Sequence, residues 1–303
     1  MSATAYEAAL HAAALSDPRI VVLTAENRAA IRTLPAPLGE RFVDVGIAEQ
    51  TLVGMSAGLA LRGRVPVAHA LAAFLTMRAF EFIRTDVGIA HLPVKLVGGV
   101  PGLLSEANGP THQAIEDVGL MRAIPGMRIF APSDEEDLLL GLPAVLADPA
   151  PWYVRFNARR PAVAHAPFTI GAAELLHDGP DVAILTYGTL VTEALESVRI
   201  LAEDGVSARL LSMRTLAPVD EDAILLAAEA TPLLVALEDH LETGGLFSIV
   251  LEVLGRARVS ARVVPMSLPA RWFEPALLPH VLAEEGFRPD QLAARVREAL
   301  VRS

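Results

Sequence analysis

The acid best placed to do chemistry sits in the stretch Arg41-Phe42-Val43-Asp44-Val45-Gly46-Ile47-Ala48-Glu49-Gln50. Residues 42–45 read as a short apolar strand, and a helix rich in small residues opens near Gly46 and runs to Leu61. Glu49 then falls in the first helical turn, beside the carboxyl end of a strand, the crevice where open α/β sheets bind ligands. A carboxyl flanked by Ile47, Ala48 and Leu52 is expected to be poorly solvated, which favours its neutral form and suits it to handling a proton. The same placement also lets an acid simply cap a helix and favour its positive end. His112, in Thr111-His112-Gln113, follows a Gly/Pro-rich loop over 98–110 and opens a predicted helix, where it either meets a ligand or caps that helix. Arg155, on a predicted strand ending near the same crevice, holds an anion bidentately or makes an ion pair. His240, in Glu238-Asp239-His240, ends another strand, with the same two readings open.

Other patterns are weaker. Gly54-Met55-Ser56-Ala57-Gly58 fits the G-x-S-x-G hydrolase motif, which requires a strand, a strained turn and then a helix. Here it lies inside a helical stripe of Leu52, Met55 and Leu59, so packing explains its small residues better than a nucleophilic Ser56. The eight histidines include no close ligand pair, so no metal site is expected from this chain alone. No dinucleotide fingerprint follows a predicted strand, and no phosphate-binding P-loop sequence occurs.

The elements that must position these residues alternate. Strands are predicted at 20–25, 42–45, 65–71, 93–97, 128–131 and 152–156. Helices are predicted at 3–15, 46–61, 74–90, from 113 to 123, and at 133–146 with Ser133 as N-cap and Glu136 completing a capping box. After a break with Arg159-Arg160-Pro161 and Ala166-Pro167, strands at 181–187, 208–213, 232–238 and 261–264 alternate with helices at 189–204, 220–230, 244–254 and 289–301. The reading is two α/β domains, each a mostly parallel sheet flanked by helices: residues 1–160, a linker over 161–178, and residues 179–303.

Composition narrows the function. Of 303 residues 52% are apolar, enough for two buried cores, and the net charge of −11 argues against a nucleic-acid surface. Zero cysteines exclude disulfides, thiol catalysis and zinc–thiolate sites. No basic region precedes an apolar core at the N-terminus and no apolar run approaches the roughly 18 residues of a spanning helix. A cytoplasmic protein with no membrane partner is expected.

Three ordered motifs now carry a resemblance. Asp44-Val45-Gly46-Ile47-Ala48-Glu49-Gln50, Gly109-Pro110-Thr111-His112-Gln113 and Met121-Arg122-Ala123-Ile124-Pro125-Gly126 are similar to the thiamine diphosphate enzymes of the transketolase family, whose wording deoxyxylulose-phosphate synthases share. Glu238-Asp239-His240 followed by Gly244-Gly245-Leu246 resembles that family's C-terminal domain. The family's G-D-G…N motif, which binds the diphosphate and a divalent metal such as Mg2+, does not occur, and the chain starts at the pyrimidine-binding domain. The resemblance therefore implies the second half of a split transketolase-like enzyme, an α2β2 hetero-oligomer in which a separate N-terminal subunit holds the diphosphate and the metal.

Carried over residue by residue, the resemblance makes Glu49 the catalytic acid that hydrogen-bonds the cofactor's pyrimidine and Phe74 the aromatic that stacks on it. Leu71 and Met77 stand where relatives often have cofactor-contacting aromatics, with core packing an equal reading. His112 matches a substrate-facing histidine that moves protons, and Arg155 an arginine that grips substrate phosphate. Asn108 stands where transketolases usually have an aspartate on the sugar hydroxyls, and Val100 where they often have a substrate-binding histidine. Both departures remove a polar or charged contact, so the expected substrate is a modified sugar or a less hydroxylated donor. The rival functions are the beta chain of a 2-oxo-acid dehydrogenase, a deoxyxylulose-phosphate synthase-like carboligase, and a non-catalytic scaffold subunit.

Overall fold

The computed structural model describes residues 4–301. Twelve strands form among them: β1 Ile20–Thr24, β2 Phe42–Asp44, β3 Val65–Leu71, β4 Lys95–Gly99, β5 Arg128–Phe130, β6 Trp152–Arg155, β7 Glu174–His177, β8 Val182–Thr186, β9 Ala208–Ser212, β10 Thr215–Ala217, β11 Leu234–Leu241 and β12 Val263–Leu268. They build a seven-stranded sheet in the order β10-β5-β6-β4-β3-β1-β2 and a five-stranded sheet in the order β12-β11-β8-β9-β7. Both are parallel except at one edge, where β10 runs antiparallel to β5 and β7 antiparallel to β9.

Helices cover both faces of the first sheet, and β1 shows why its strands read as unbroken apolar runs. Val21 and Leu23 pack on one side with Leu52, Val53, Ile83, Val118 and Met121. Ile20 and Val22 pack on the other with Tyr6, Leu10, Leu138 and Leu142. A strand buried on both faces needs no polar alternation.

Several local features differ from the sequence reading. The helix Glu49–Leu61 starts three residues later than predicted. Gly46 takes φ +73°, its N–H donates to Asp44 Oδ1 at 2.9 Å, and the chain turns sharply before helical geometry begins. The segment 74–90 is not one regular helix: π-type turns span Phe74–Arg78 and Ile83–Gly88 around a short α-turn at Phe80–Phe82, and such wide turns are frequent at functional sites. The helix Glu135–Ala147 is capped by Asp134, whose side chain accepts from Asp137 N–H at 3.1 Å. Ser133 lies one residue too early to cap it, and instead donates its N–H and Oγ–H to Asp137.

The stretch expected to be a bare linker contains β7, and β10 from the second half extends the first sheet. The two halves are also joined by buried charge. Arg155 donates from Nε to Asp117 at 2.8 Å and from Nη1 to Asp239 at 2.9 Å, with all three side chains essentially out of water. Gly102, at φ +58°, lies so close that a Cβ there would fall 1.9 Å from Asp239 Oδ2. Among the described residues no helix is long and apolar enough to cross a membrane.

Candidate active site

Glu49 is the first residue of its helix and is only 2% exposed, although Ile47 beside it is 71% exposed. It projects into a pocket of about 330 Å³ lined by Ala25, Glu26, Asn27, Ile47, Glu49, Leu71 and Phe74. The walls come from the loop after β1, the β2–helix turn, the end of β3 and the start of the π-type turn, all at the carboxyl edge of the sheet. The topology thus brings Glu49 to one crevice with Leu71 and Phe74, more than twenty residues further along the sequence.

The acid is not left alone in an apolar pocket, as its sequence neighbours suggested. Arg78 Nη1 donates to Glu49 Oε2 at 2.8 Å, and the same guanidinium lies over the Phe74 ring at 4.2 Å from its centroid. His112 meets Phe74 edge-on, with ring centroids 4.8 Å apart. It does not open a helix: it follows the 3-10 turn Leu103–Thr111, and its Nδ1 lies 2.9 Å from Thr111 Oγ1. A continuous set of groups therefore runs from Glu49 through Arg78 and Phe74 to His112.

A second cavity of about 350 Å³ adjoins the first. Asn27 and Leu71 line both, and Thr4, His69, Val97, Gly99, Val100, Glu135 and Phe156 complete most of the second wall. Val100 and Glu26 both adopt left-handed backbone, at φ +47° and +59°. Such conformations cost about 1–3 kcal/mol each in a non-glycine residue and gather at ligand sites. His69 is spent structurally: its Nε2 accepts from Tyr6 O–H at 2.9 Å and its Nδ1 faces Leu23 O at 3.3 Å. Burial pushes this imidazole down to about 4, so it stays neutral.

Other residues singled out from the sequence lie elsewhere. Met77 is 40% exposed and lines neither cavity. Asn108 is exposed, and its carbonyl faces Thr111 Oγ1 at 3.5 Å. Arg155 is committed to Asp117 and Asp239 between the two halves, so in this structure it presents no open fork to a substrate phosphate. His240 is buried, with Gly119 N–H donating to its Nε2 at 3.2 Å. Ser56 is fully buried and donates to Leu52 O at 2.8 Å, which suits packing and not nucleophilic attack. Sequence reasoning missed Arg78 and Asn27. Arg78, four residues past Phe74 on an apparent helix, carried a usable spacing signal; Asn27 carried none.

The arrangement can be set beside known proteins. Residues 1–161 match the family model of the transketolase pyrimidine-binding domain, and residues 171–292 that of the transketolase C-terminal domain. The chain belongs to the transketolase family. It is 41% identical over 248 residues to the 6-deoxy-6-sulfo-D-fructose transketolase subunit SqwH of Clostridium sp. (strain MSTE9), covering 80% of this chain and 77% of that one. It superposes on a split-gene transketolase structure, described as an inactive beta4 tetramer, with TM-score 0.89, 32% identity and 98% and 97% coverage. It is 36% identical to a 1-deoxy-D-xylulose-5-phosphate synthase of Synechococcus sp. (strain JA-2-3B'a(2-13)) across 93% of its own residues, yet spans only 44% of that protein. This transketolase-family chain thus corresponds to the C-terminal part of its longer relatives, and the family depends on thiamine diphosphate. The first cavity fits the aminopyrimidine end of that cofactor: a flat aromatic face at Phe74, apolar sides at Ile47 and Leu71, and a buried acid at Glu49, with Glu26 on the rim side of the lining.

Proposed function

We propose that this chain is the C-terminal subunit of a split, cytoplasmic, thiamine diphosphate-dependent transketolase that moves a two-carbon ketol unit between sugar-like substrates. The observation that carries the reading is the joint placement of Glu49, Leu71 and Phe74 around one cavity with ample room for an aminopyrimidine. A separate N-terminal subunit holds the diphosphate and a divalent cation, which we place in an α2β2 assembly; the match to a split-gene transketolase chain over nearly its whole length supports the separate subunit.

When bound, the cofactor supplies the carbon nucleophile that carries the ketol group. The chain's own residues then have definable tasks. Glu49 would hold or release a proton at a ring nitrogen while Arg78 stays bonded to its Oε2. Phe74 presents its ring as the stacking surface, and Leu71 with Ile47 excludes water from the acid. His112, with Nδ1 tied to Thr111, is left with Nε2 to pass a proton to or from a substrate oxygen. Val100, which lines the second cavity where relatives have an imidazole, favours a modified or less hydroxylated donor over ordinary pentose phosphates. The SqwH relative, named for a sulfonated sugar, supports that choice.

The test is to co-express the chain with the product of a neighbouring gene carrying the diphosphate motif, and to assay ketol transfer across a donor panel. Thiamine diphosphate-dependent transfer without loss of CO2 is expected. Xylulose 5-phosphate emerging as the preferred donor would count against the modified-sugar assignment. The likeness to deoxyxylulose-phosphate synthases favours one second reading, a decarboxylating carboligase, which release of CO2 from pyruvate would establish. Acyl transfer to a lipoyl domain would identify a 2-oxo-acid dehydrogenase beta chain instead.

A further inference from the structure

The two cavities meet at Asn27. Beyond Asn27 and Leu71, the second one lies over the carboxyl ends of β1, β3, β4 and β6. Its surface is mostly apolar, with Ala29, Val97, Val100 and Phe156, and none of the described residues lining it is a lysine or arginine. The one carboxylate there, Glu135, opens a helix at its edge.

Two of the four polar side chains lining this cavity, His69 and Thr4, are already occupied. His69 is bonded at both ring nitrogens, and Thr4 Oγ1 accepts from Glu7 N–H as a helix cap. Asn27 differs. Its backbone carbonyl accepts from Thr24 Oγ1 at 3.1 Å, but its carboxamide makes no hydrogen bond among the described residues. The amide is nevertheless closely seated: a Cβ on Gly99 would fall 2.9 Å from Asn27 Nδ2, so glycine at 99 leaves the space the amide fills. The left-handed backbone at Glu26 and at Val100 borders the same spot from two loops. A donor and acceptor fixed in position and without an internal partner, on the wall shared by two cavities, is suited to reading a ligand.

We propose that Asn27 is a specificity-determining residue: its carboxamide hydrogen-bonds a hydroxyl or carbonyl oxygen on the uncharged part of the donor, which occupies the Val100 cavity. The inference rests on the transketolase reading above. Charge selects the neutral part, because a phosphate or sulfonate in this cavity faces Glu135 and meets no cation from this chain. Any anionic end of the donor therefore projects out of the cavity. Val100 contributes contact area and no hydrogen bond, which leaves Asn27 to set the orientation.

The experiment uses the two-chain complex with Asn27→Leu, similar in volume but unable to hydrogen-bond, and Asn27→Ser as a second variant in case the first folds poorly. The donor is the neutral ketose L-erythrulose. Loss of one neutral hydrogen bond lowers kcat/KM by roughly 3- to 10-fold, mainly through KM, in both variants. Apparent affinity for thiamine diphosphate moves by less than about 2-fold, because Asn27 reads the donor and not the cofactor. In the complex without cofactor, saturation-transfer NMR from protein to L-erythrulose weakens in the variants. Unchanged kcat/KM, or an equal loss of cofactor affinity, in an otherwise active enzyme overturns this inference alone. A wild-type complex that transfers from no donor overturns the functional reading and the inference together.

Discussion

Replacing Arg155 by methionine separates two roles for this residue. Its guanidinium is 2% exposed and bonds Asp117 at 2.8 Å and Asp239 at 2.9 Å, one partner from each half of the chain. Burial alone would lower its pKa, but the two carboxylates hold it well above the usual value, so it remains charged. Methionine preserves much of the side-chain volume and strands two buried carboxylates. Removing one partner from a buried ion pair costs about 3–5 kcal/mol. Asp117 keeps the Tyr153 hydroxyl at 2.6 Å and Asp239 keeps the Thr189 hydroxyl at 3.3 Å, which places the loss near the lower end. At roughly 2–4 °C per kcal/mol for a chain of this class, the melting midpoint falls by about 6–12 °C. Thermal melts followed by circular dichroism at pH 7 measure it. Pairing with Asp117→Asn should give a double variant less destabilised than the sum, because both changes dismantle one network. A midpoint within about 2 °C of wild type, together with a raised KM confined to phosphorylated donors, would refute the domain-joining role and restore the anion-gripping one.

Three further outcomes are expected. Glu49→Gln should abolish ketol transfer by the two-chain complex while leaving the fold intact by circular dichroism; retained turnover would support a scaffold role. Ser56→Ala should leave activity within about 2-fold and cost roughly 1 kcal/mol, the worth of its hydrogen bond to Leu52. Stability against pH should show two opposed slopes. Although burial lowers the pKa of His165, hydrogen bonds to Asp134 and Glu174 raise it to about 10, so its contribution is full below about 6.5 and fades as pH rises towards 10. Burial lowers Lys95 to about 7, so the unfolded chain binds more protons between pH 7 and about 10.4 and stability rises with pH there. Melts from pH 6.5 to 10 should therefore climb more steeply in His165→Gln and fall in Lys95→Met; identical profiles would disprove both assignments.

Much of this protein could be read from residue order because its signals are local. Buried parallel strands such as Ile20–Thr24 are apolar throughout, and a strand followed by glycine, an acid and a helix reports a crevice without any long-range information. Glu49 was legible for that reason, whereas Phe74 and Leu71 came only from the family resemblance; the tertiary structure places all three around one cavity. Helix boundaries were less legible where the backbone departs from regular geometry, as at Gly46 and through the π-type turns after Phe74. Partnership was not legible at all. Whether Arg155 faces a substrate or two aspartates depends on strands that are neighbours in space and 84 residues apart in the chain. The pairing of Arg78 with Glu49 and the seat of Asn27 against Gly99 likewise arise from contacts between separate elements. Periodicity and local motifs specify which face of an element is buried. Only the packed molecule decides which charge meets which, because Coulomb and hydrogen-bond energies depend on distances that the folded chain alone sets.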